Sequence, residues 1–357
     1  MAKRVVVGLS GGVDSSVSLI LLKERGFQPI GVSLRYAVWK SEKNALKENF
    51  CCSEESFRTA EKVCRKLKVP YHIIDCYLDF EEKVAGYFLS VLREYKTPSP
   101  CLICNRFVKF AKLFEFAKEQ GIDYVATGHY ARVRRNEQTK KYELLRGKDK
   151  QKDQSYFLCL LNQRQLGKII FPLGDYTKKQ VYQIAKKQGL NFFEKQKQSQ
   201  DICFIAKKSI PFYLEKKIGL EPGDIIDKKG NILGRHQGLF FYTIGQRKGI
   251  GLSDGPWWII GFNKVKNQLI ATNKENDPAL FARTVVLSDV HFISGKALQK
   301  TIKVKAKIRY NQPLAFAKLY TGEPIKLVFD KLQRAVTPGQ WAVFYDKDIC
   351  LGGGVIQ

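Results

Sequence analysis

The chain has 357 residues, of which 44% are hydrophobic and 12% aromatic, enough to fill two or three cores and too much for a disordered polymer. Its 61 Lys and Arg against 34 Asp and Glu leave a net charge of +27, which argues for a polyanionic partner, because each phosphate neutralised by a cation releases condensed counterions. No apolar run reaches the roughly 18 residues of a membrane span, the start MAKRVVVGLSGG lacks a secretory pattern, and nine cysteines, an odd number, fit a reducing cytoplasm rather than a disulfide framework.

In chain order, Arg4 to Leu9 predicts an apolar strand, Val13 to Arg25 a helix stopped by Gly26, and Pro29 to Leu34 a second strand. Tyr36 to Phe50 is expected to be a mobile insertion. Ser53 predicts the cap of a helix reaching Lys66, with Glu54 and Glu55 in its favourable first turn. YHIID predicts a third strand, Glu81 to Lys96 and Asn105 to Gln120 two further helices, and YVAT at Tyr124 a fourth strand. Repeated βα units imply a parallel sheet with helices on both faces and ligands at the strands' carboxyl ends. YARVRRNEQTKKYELLRG predicts a polar hairpin, and Thr177 opens a helix ending near Gly189. From about Ser209 short β-type runs are broken by Gly and Asn, as in WWIIGFNKVKNQLIATN. The expected organisation is an α/β catalytic domain over 1–206, a small linker domain over 207–280 and a C-terminal β-barrel over 281–357.

VVVGLSGGVDSS places a Gly- and Ser-rich turn between strand one and helix one. Backbone N–H groups and the helix N-terminus there suit a phosphate. The Gly-Lys-Ser/Thr ending of a Walker loop is absent, which excludes P-loop kinases and GTPases. Ser10-Gly11-Gly12-Val13-Asp14-Ser15 resembles the signature of the PP-loop ATP pyrophosphatases, which cleave ATP between the α- and β-phosphates. Further stretches narrow the match: CLICN, ATGHYAR, KDQSYFL, DICFI, GQRKGIG, TPGQWAVFY and CLGGGVI. Together they resemble the tRNA-specific 2-thiouridylases over almost the whole chain.

That resemblance implies ATP-dependent thiolation of C2 of a wobble uridine, with ATP, Mg²⁺, tRNA and a sulfur donor (a sulfurtransferase or hydrosulfide) as partners, no membrane, and a monomer or weak dimer. It implies ATP contacts at Gly8, Leu9, Ser10, Gly11, Gly12, Val13, Asp14, Ser15, Leu34 and Gly128. It implies tRNA contacts at Ser99, Pro100, Cys101, Lys152, Asp153, Gln154, Arg309 and Tyr310. Independently, IKVKAKIRY alternates apolar Ile302, Val304, Ala306 and Ile308 with Lys303, Lys305, Lys307 and Arg309, predicting a strand with one cationic face suited to phosphates.

The expected sulfur chemistry centres on Cys104, read as lying just ahead of a helix with Arg106 and Lys109 in its first turn, where dipole and cations favour a thiolate. The family's roles, carried over, make Cys203 the persulfide carrier and Cys104 the nucleophile. Many relatives have an acidic residue where Cys101 stands. The third thiol leaves open a [4Fe–4S] cluster on Cys101, Cys104 and Cys203, a metal-free persulfide route, a zinc site completed by His129 or by Cys51 and Cys52, and a plain Cys101–Cys104 disulfide. Two rivals also stand: a PP-loop ligase or amidotransferase of a small metabolite, which leaves the charge and the CxxC unexplained, and a non-catalytic RNA-binding protein, which leaves the cysteines idle.

Overall fold

Residues 4 to 170 supply seven strands: β1 (Arg4–Gly8), β2 (Gln28–Arg35), β3 (Tyr71–Asp75), β4 (Tyr124–Thr127), β5 (Ala131–Arg135), β6 (Tyr142–Arg146) and β7 (Ile169–Ile170). Five of them form a parallel sheet in the order β3-β2-β1-β4-β7. The structure is a computed structural model describing residues 2–44, 53–191, 193, 202–296 and 301–357, with only the backbone of Lys207. Cys51, Cys52 and Asp201 lie outside the described residues.

β1 shows why the strands read as apolar runs. Val5, Val6 and Val7 are all fully buried, each stabilising the fold by on the order of 1.5–2 kcal/mol. Val6 joins Leu113 and Ala117 on one side of the sheet, while Val5 and Val7 join Val17, Val63 and Val181 on the other. Both faces are therefore covered by helices, as a parallel sheet requires. The helix Glu54–Lys66 starts where expected, with the Ser53 hydroxyl accepting from the Ser56 N–H at 3.1 Å. The helix Lys178–Lys187 opens on a capping box between Thr177 and Gln180.

Two expectations are corrected here. The helix expected to begin near Asn105 begins at Pro100: Pro100–Cys104 is α-helical, Asn105–Lys109 is a π turn, and Phe110–Glu119 is α-helical again. Proline, which breaks a helix interior, is well suited to the first helical position, where its missing N–H costs nothing. The insertion expected over Tyr36 to Phe50 is not loose at its start: Tyr36 and Ala37 are buried in the core, and Tyr36 stacks at 4.9 Å on Phe80. Residues 45–52 lie outside the described part.

The middle of the chain folds into β8 (Gly223–Ile226), β9 (Ile232–His236), β10 (Trp258–Asn263) and β11 (Gln268–Thr272), ordered β10-β11-β8-β9 around Ile225, Ile259 and Leu269. The last six strands are β12 (Phe281–Phe292), β13 (Ile302–Lys307), β14 (Ala315–Tyr320), β15 (Lys326–Arg334), β16 (Trp341–Asp346) and β17 (Ile349–Ile356). They run antiparallel, and β12 pairs with both β15 and β17, closing a barrel over Leu319, Leu327, Phe329 and Phe344. The predicted polar hairpin is β5–β6, but it pairs with the barrel: Ile349 lies opposite Leu145 and Cys350 opposite Leu144.

Candidate active site

The phosphate loop joins β1 to the helix Val13–Glu24 at the carboxyl edge of the sheet. Ser10 N–H donates to Ser15 Oγ at 3.1 Å, and the Ser15 and Ser16 hydroxyls both donate to the Gly12 carbonyl at 3.0 Å, so the serines hold the turn's shape. Gly11 has φ +71°, and a Cβ there would stand 2.3 Å from the Ser56 carbonyl oxygen. A Cβ on Gly128 would stand 2.9 Å from Ser15 N, so the end of β4 lies directly against the helix start. The sequence-predicted residues Gly8 to Ser15 and Gly128 are thus brought together, and Leu34 is buried near the end of the adjacent β2. The helix's first N–H groups supply the anion-binding potential.

Asp14 reveals two residues that the sequence did not point to. Its Oδ1 accepts from the Tyr130 hydroxyl at 2.7 Å, and both carboxylate oxygens accept from Lys178 Nζ at 2.7 Å. Burial, then the adjoining Asp14 carboxylate, pushes the Tyr130 phenol far above the usual tyrosine range, so it stays a donor. Tyr130 is held in turn by Gln154: Tyr130 N–H donates to Gln154 Oε1 at 3.0 Å and Gln154 N–H to the Tyr130 carbonyl at 2.9 Å. Asp153 is only 1% exposed and accepts from Arg146 Nε at 2.8 Å and from the Gly147 and Ser155 N–H groups. Of the segment expected to touch tRNA, Asp153 is buried on Arg146, Gln154 is half-buried and holds Tyr130, and Lys152 is half-buried beside them.

His129, next to Gly128, is buried, and its Nδ1 pairs with Thr127 Oγ1 at 2.7 Å. Burial, reinforced by the charge of Lys109, holds its pKa well below the usual histidine value, so the ring is neutral.

The cysteine helix continues into Phe110–Glu119, which packs on β1 and β4 with Leu113 against Gly8. Cys104 lies nine positions before Leu113 on the same helical run, across the π turn Asn105–Lys109. Cys101, at the second helical position, is exposed, while Cys104, a turn further in, is buried. The helix start therefore lies nearer Cys101 than Cys104, reversing the expected dipole argument. Arg106 stacks on Phe107 at 4.9 Å. Cys203 is half-buried at the border of the apolar core that also encloses Cys104. Burial pushes the thiols of Cys64 and Cys76 up to about 12 and raises those of Cys159 and Cys350 as well, making these four unreactive packing residues.

The barrel grips the approach to this helix. Thr97 N–H donates to the Pro338 carbonyl at 2.8 Å, and Gln340 Nε2 donates to the Thr97 and Pro98 carbonyls at 3.2 and 3.1 Å. Ser99 and Pro100 are buried beneath it. Arg309 donates to the Ile244 and Ala335 carbonyls and to Thr337 Oγ1, tying the middle domain and the barrel to the same corner. Tyr310 stacks on Phe157 at 4.4 Å. The expected cationic strand face is consequently shorter than its pattern: Lys307 is buried and donates to the Tyr310 carbonyl, and Arg309 is engaged, leaving Lys303 and Lys305 outward. Lys305 lies 4.6 Å over the ring of Phe316, which is 61% exposed.

Among the described residues, which include Cys101, Cys104, Cys203 and His129, no three Cys, His, Asp or Glu side chains gather as a metal site. The zinc alternative completed by Cys51 and Cys52 lies outside the described residues. No helix among the described residues is long and apolar enough to cross a membrane.

Family models match the chain from end to end: a tRNA methyl transferase HUP domain over residues 3–207, a tRNA methyl transferase PRC-barrel domain over 212–273 and an aminomethyltransferase beta-barrel domain over 282–356. The chain is 41% identical to a tRNA-specific 2-thiouridylase MnmA of Clostridioides difficile, covering 100% of this chain and 99% of that one. It is 43% identical to a tRNA-specific 2-thiouridylase MnmA 1 of Caldanaerobacter subterraneus, covering 99% of this chain and 98% of that one. Among solved structures it is similar to the U34-tRNA thiolase NcsA of Methanococcus maripaludis with its [4Fe-4S] cluster, at 21% identity and a TM-score of 0.35, covering 60% of this chain and 66% of that one. With full-length relatives above 40% identity and family models matching all three parts of the chain, it belongs to the tRNA-specific 2-thiouridylase family.

Proposed function

We propose that the protein replaces the C2 oxygen of a tRNA wobble uridine by sulfur, using ATP as the activating substrate, in the cytoplasm where tRNA and reduced thiols meet. The observation that carries this reading is the common helix: the segment bearing Cys104 runs into the helix packed on β1, whose carboxyl end is the phosphate loop. One continuous helical run thus joins the segment that bears the thiol to the strand that ends in the phosphate-binding turn.

The chemistry follows from the leaving group. A uridine C2 oxygen departs poorly, so it first attacks the α-phosphorus of MgATP, forming the C2–O–P bond and releasing pyrophosphate. Cys203 receives sulfur from an external donor as a persulfide. Cys104 thiolate attacks the Cys203 sulfur that bears the terminal sulfur, the S–S bond breaks, and hydrosulfide leaves with the electron pair. Hydrosulfide adds to C2 and AMP departs, leaving the thiocarbonyl. The resulting Cys104–Cys203 disulfide is reduced by an external dithiol. No step in this route passes through a metal cluster. Mg²⁺ enters with ATP as part of the substrate.

Incubating the protein with ATP, a persulfide donor and tRNA should yield AMP, pyrophosphate and a thiolated uridine in the digested tRNA. Cys104→Ser and Cys203→Ser should each abolish the thiolated nucleoside while leaving tRNA binding intact. AMP formation driven by a small amine without tRNA would instead favour a metabolite ligase. Activity that tracks iron content would restore the cluster.

A further inference from the structure

The phosphate loop carries no lysine of its own. Walker-type loops place one at the helix start to grip the β- and γ-phosphates, whereas here the helix Val13–Glu24 has an acidic Asp14 in its first turn and its basic residue, Lys23, in its last. Beyond the Mg²⁺ that accompanies ATP, such a loop leaves a place for a protein cation from another element.

We propose that Lys178 is that cation: held on Asp14, its ammonium meets the pyrophosphate half of ATP. The inference rests on the reading of this loop as an ATP site. An ammonium has three donors. Two of them are taken by Asp14, at 2.7 Å to each carboxylate oxygen, which orients the third without using it. The side chain is prepared for this task. Its backbone N–H is fixed on Asp149 Oδ2 at 3.0 Å, and the capping box of Thr177 and Gln180 sets the helix start from which it projects. The rings of Tyr182 and Tyr130 flank the ammonium at 5.1 and 6.0 Å. The Lys178 side chain is 12% exposed against 34% for Asp14, so the charge acts in a largely water-excluded place where a charge-assisted hydrogen bond is strong. Asp14 in the SGGVDS stretch then has a definite part: it positions Lys178, and the Tyr130 hydroxyl, at 2.7 Å from Oδ1, positions Asp14.

The test compares nucleotides that differ only in the phosphates beyond the first. In calorimetric titration of the full-length protein, Lys178→Met should weaken ATP and inorganic pyrophosphate at least tenfold and leave AMP unchanged, and Lys178→Arg should recover part of the loss. Equal weakening of ATP and AMP would overturn the proposal, since it would mean that Lys178 only shapes the loop, and so would unchanged ATP affinity. Should the single variant fail to fold because Asp14 loses its counter-charge, the double variant Asp14→Asn, Lys178→Met removes both charges together. The same tenfold, triphosphate-selective loss supports the proposal there, and wild-type ATP affinity overturns it. Wild-type protein that binds neither ATP nor pyrophosphate would instead remove the ATP reading itself, before any variant is made.

Discussion

Replacing Gly339 by Ala tests whether the C-terminal barrel positions the cysteine helix. Gly339 has φ +87°, and a Cβ there would stand 2.8 Å from Lys96 Cβ and 2.9 Å from both Thr97 N and Thr97 O. The left-handed backbone alone costs an alanine about 1–2 kcal/mol, offset in part by about 0.4–1 kcal/mol of lost unfolded-state freedom. The steric part is larger because the neighbours are main chain. Relieving the contacts displaces Thr97 by roughly half an ångström and breaks its N–H bond to the Pro338 carbonyl, adding about 1–2 kcal/mol. Gly26→Ala is the control, with φ +79° and nothing within 4 Å of its Cβ; it meets the backbone cost alone. In urea unfolding, Gly339→Ala should be about 1–2 kcal/mol less stable than Gly26→Ala. In single-turnover thiolation it should be slower by about tenfold to a hundredfold, because small displacements of a reacting group are amplified in rate, whereas Gly26→Ala should match wild type. Equal stability of the two variants, with full thiolation by Gly339→Ala, would refute the idea that this contact sets the position of Thr97 and the helix behind it.

Acidification should destabilise the protein through His129. Its folded pKa lies below the unfolded value, so below pH of about 6.5 the unfolded chain takes up a proton that the fold refuses, and stability falls by up to about 1.4 kcal/mol per pH unit until the folded ring protonates. His236 and His291 are lowered in the same direction. Urea unfolding of His129→Asn at pH 7.5 and 5.5 should show a smaller acid loss than wild type, and an identical loss would contradict the assignment. Lys305→Glu should weaken tRNA binding and reduce its salt slope by about one, whereas Lys307→Met should leave the slope unchanged because its ammonium is already used inside; equal slopes in both variants would dissociate the strand from RNA. Timed alkylation read by mass spectrometry should label Cys101 first among the described cysteines and spare Cys64, Cys76, Cys159 and Cys350 until unfolding, and early labelling of any of these four would contradict their burial.

The parts of the fold legible in the sequence are those set by neighbours in the chain. Parallel strands buried on both faces read as runs such as Val5-Val6-Val7, and Ser53 and Thr177 announce their helices because capping is settled within four residues. Pro100 was misleading because the same residue ends one helix and begins another according to position alone. Lys178 and Tyr130 were silent because they reach Asp14 across 164 and 116 residues of sequence, and nothing in a local pattern records such an approach. The alternation Lys303, Lys305, Lys307 follows β13, which ends before Arg309, yet alternation says only which side a residue is on. It does not say whether another part of the molecule covers that side, as the Tyr310 carbonyl and the Thr337 corner do here.

The pairing of β5–β6 with β17 has a consequence for how the protein is made. Leu144 and Leu145 emerge from the ribosome long before Cys350 and Ile349, their partners across the sheet, and Thr97 and Pro98 wait still longer for Gln340. The nucleotide half can fold during synthesis, but the corner that holds its cysteine helix is finished only by the last strands. A nascent or prematurely ended chain would therefore carry a phosphate loop without a fixed sulfur arm, and completion of the polypeptide acts as the safety catch on thiol chemistry.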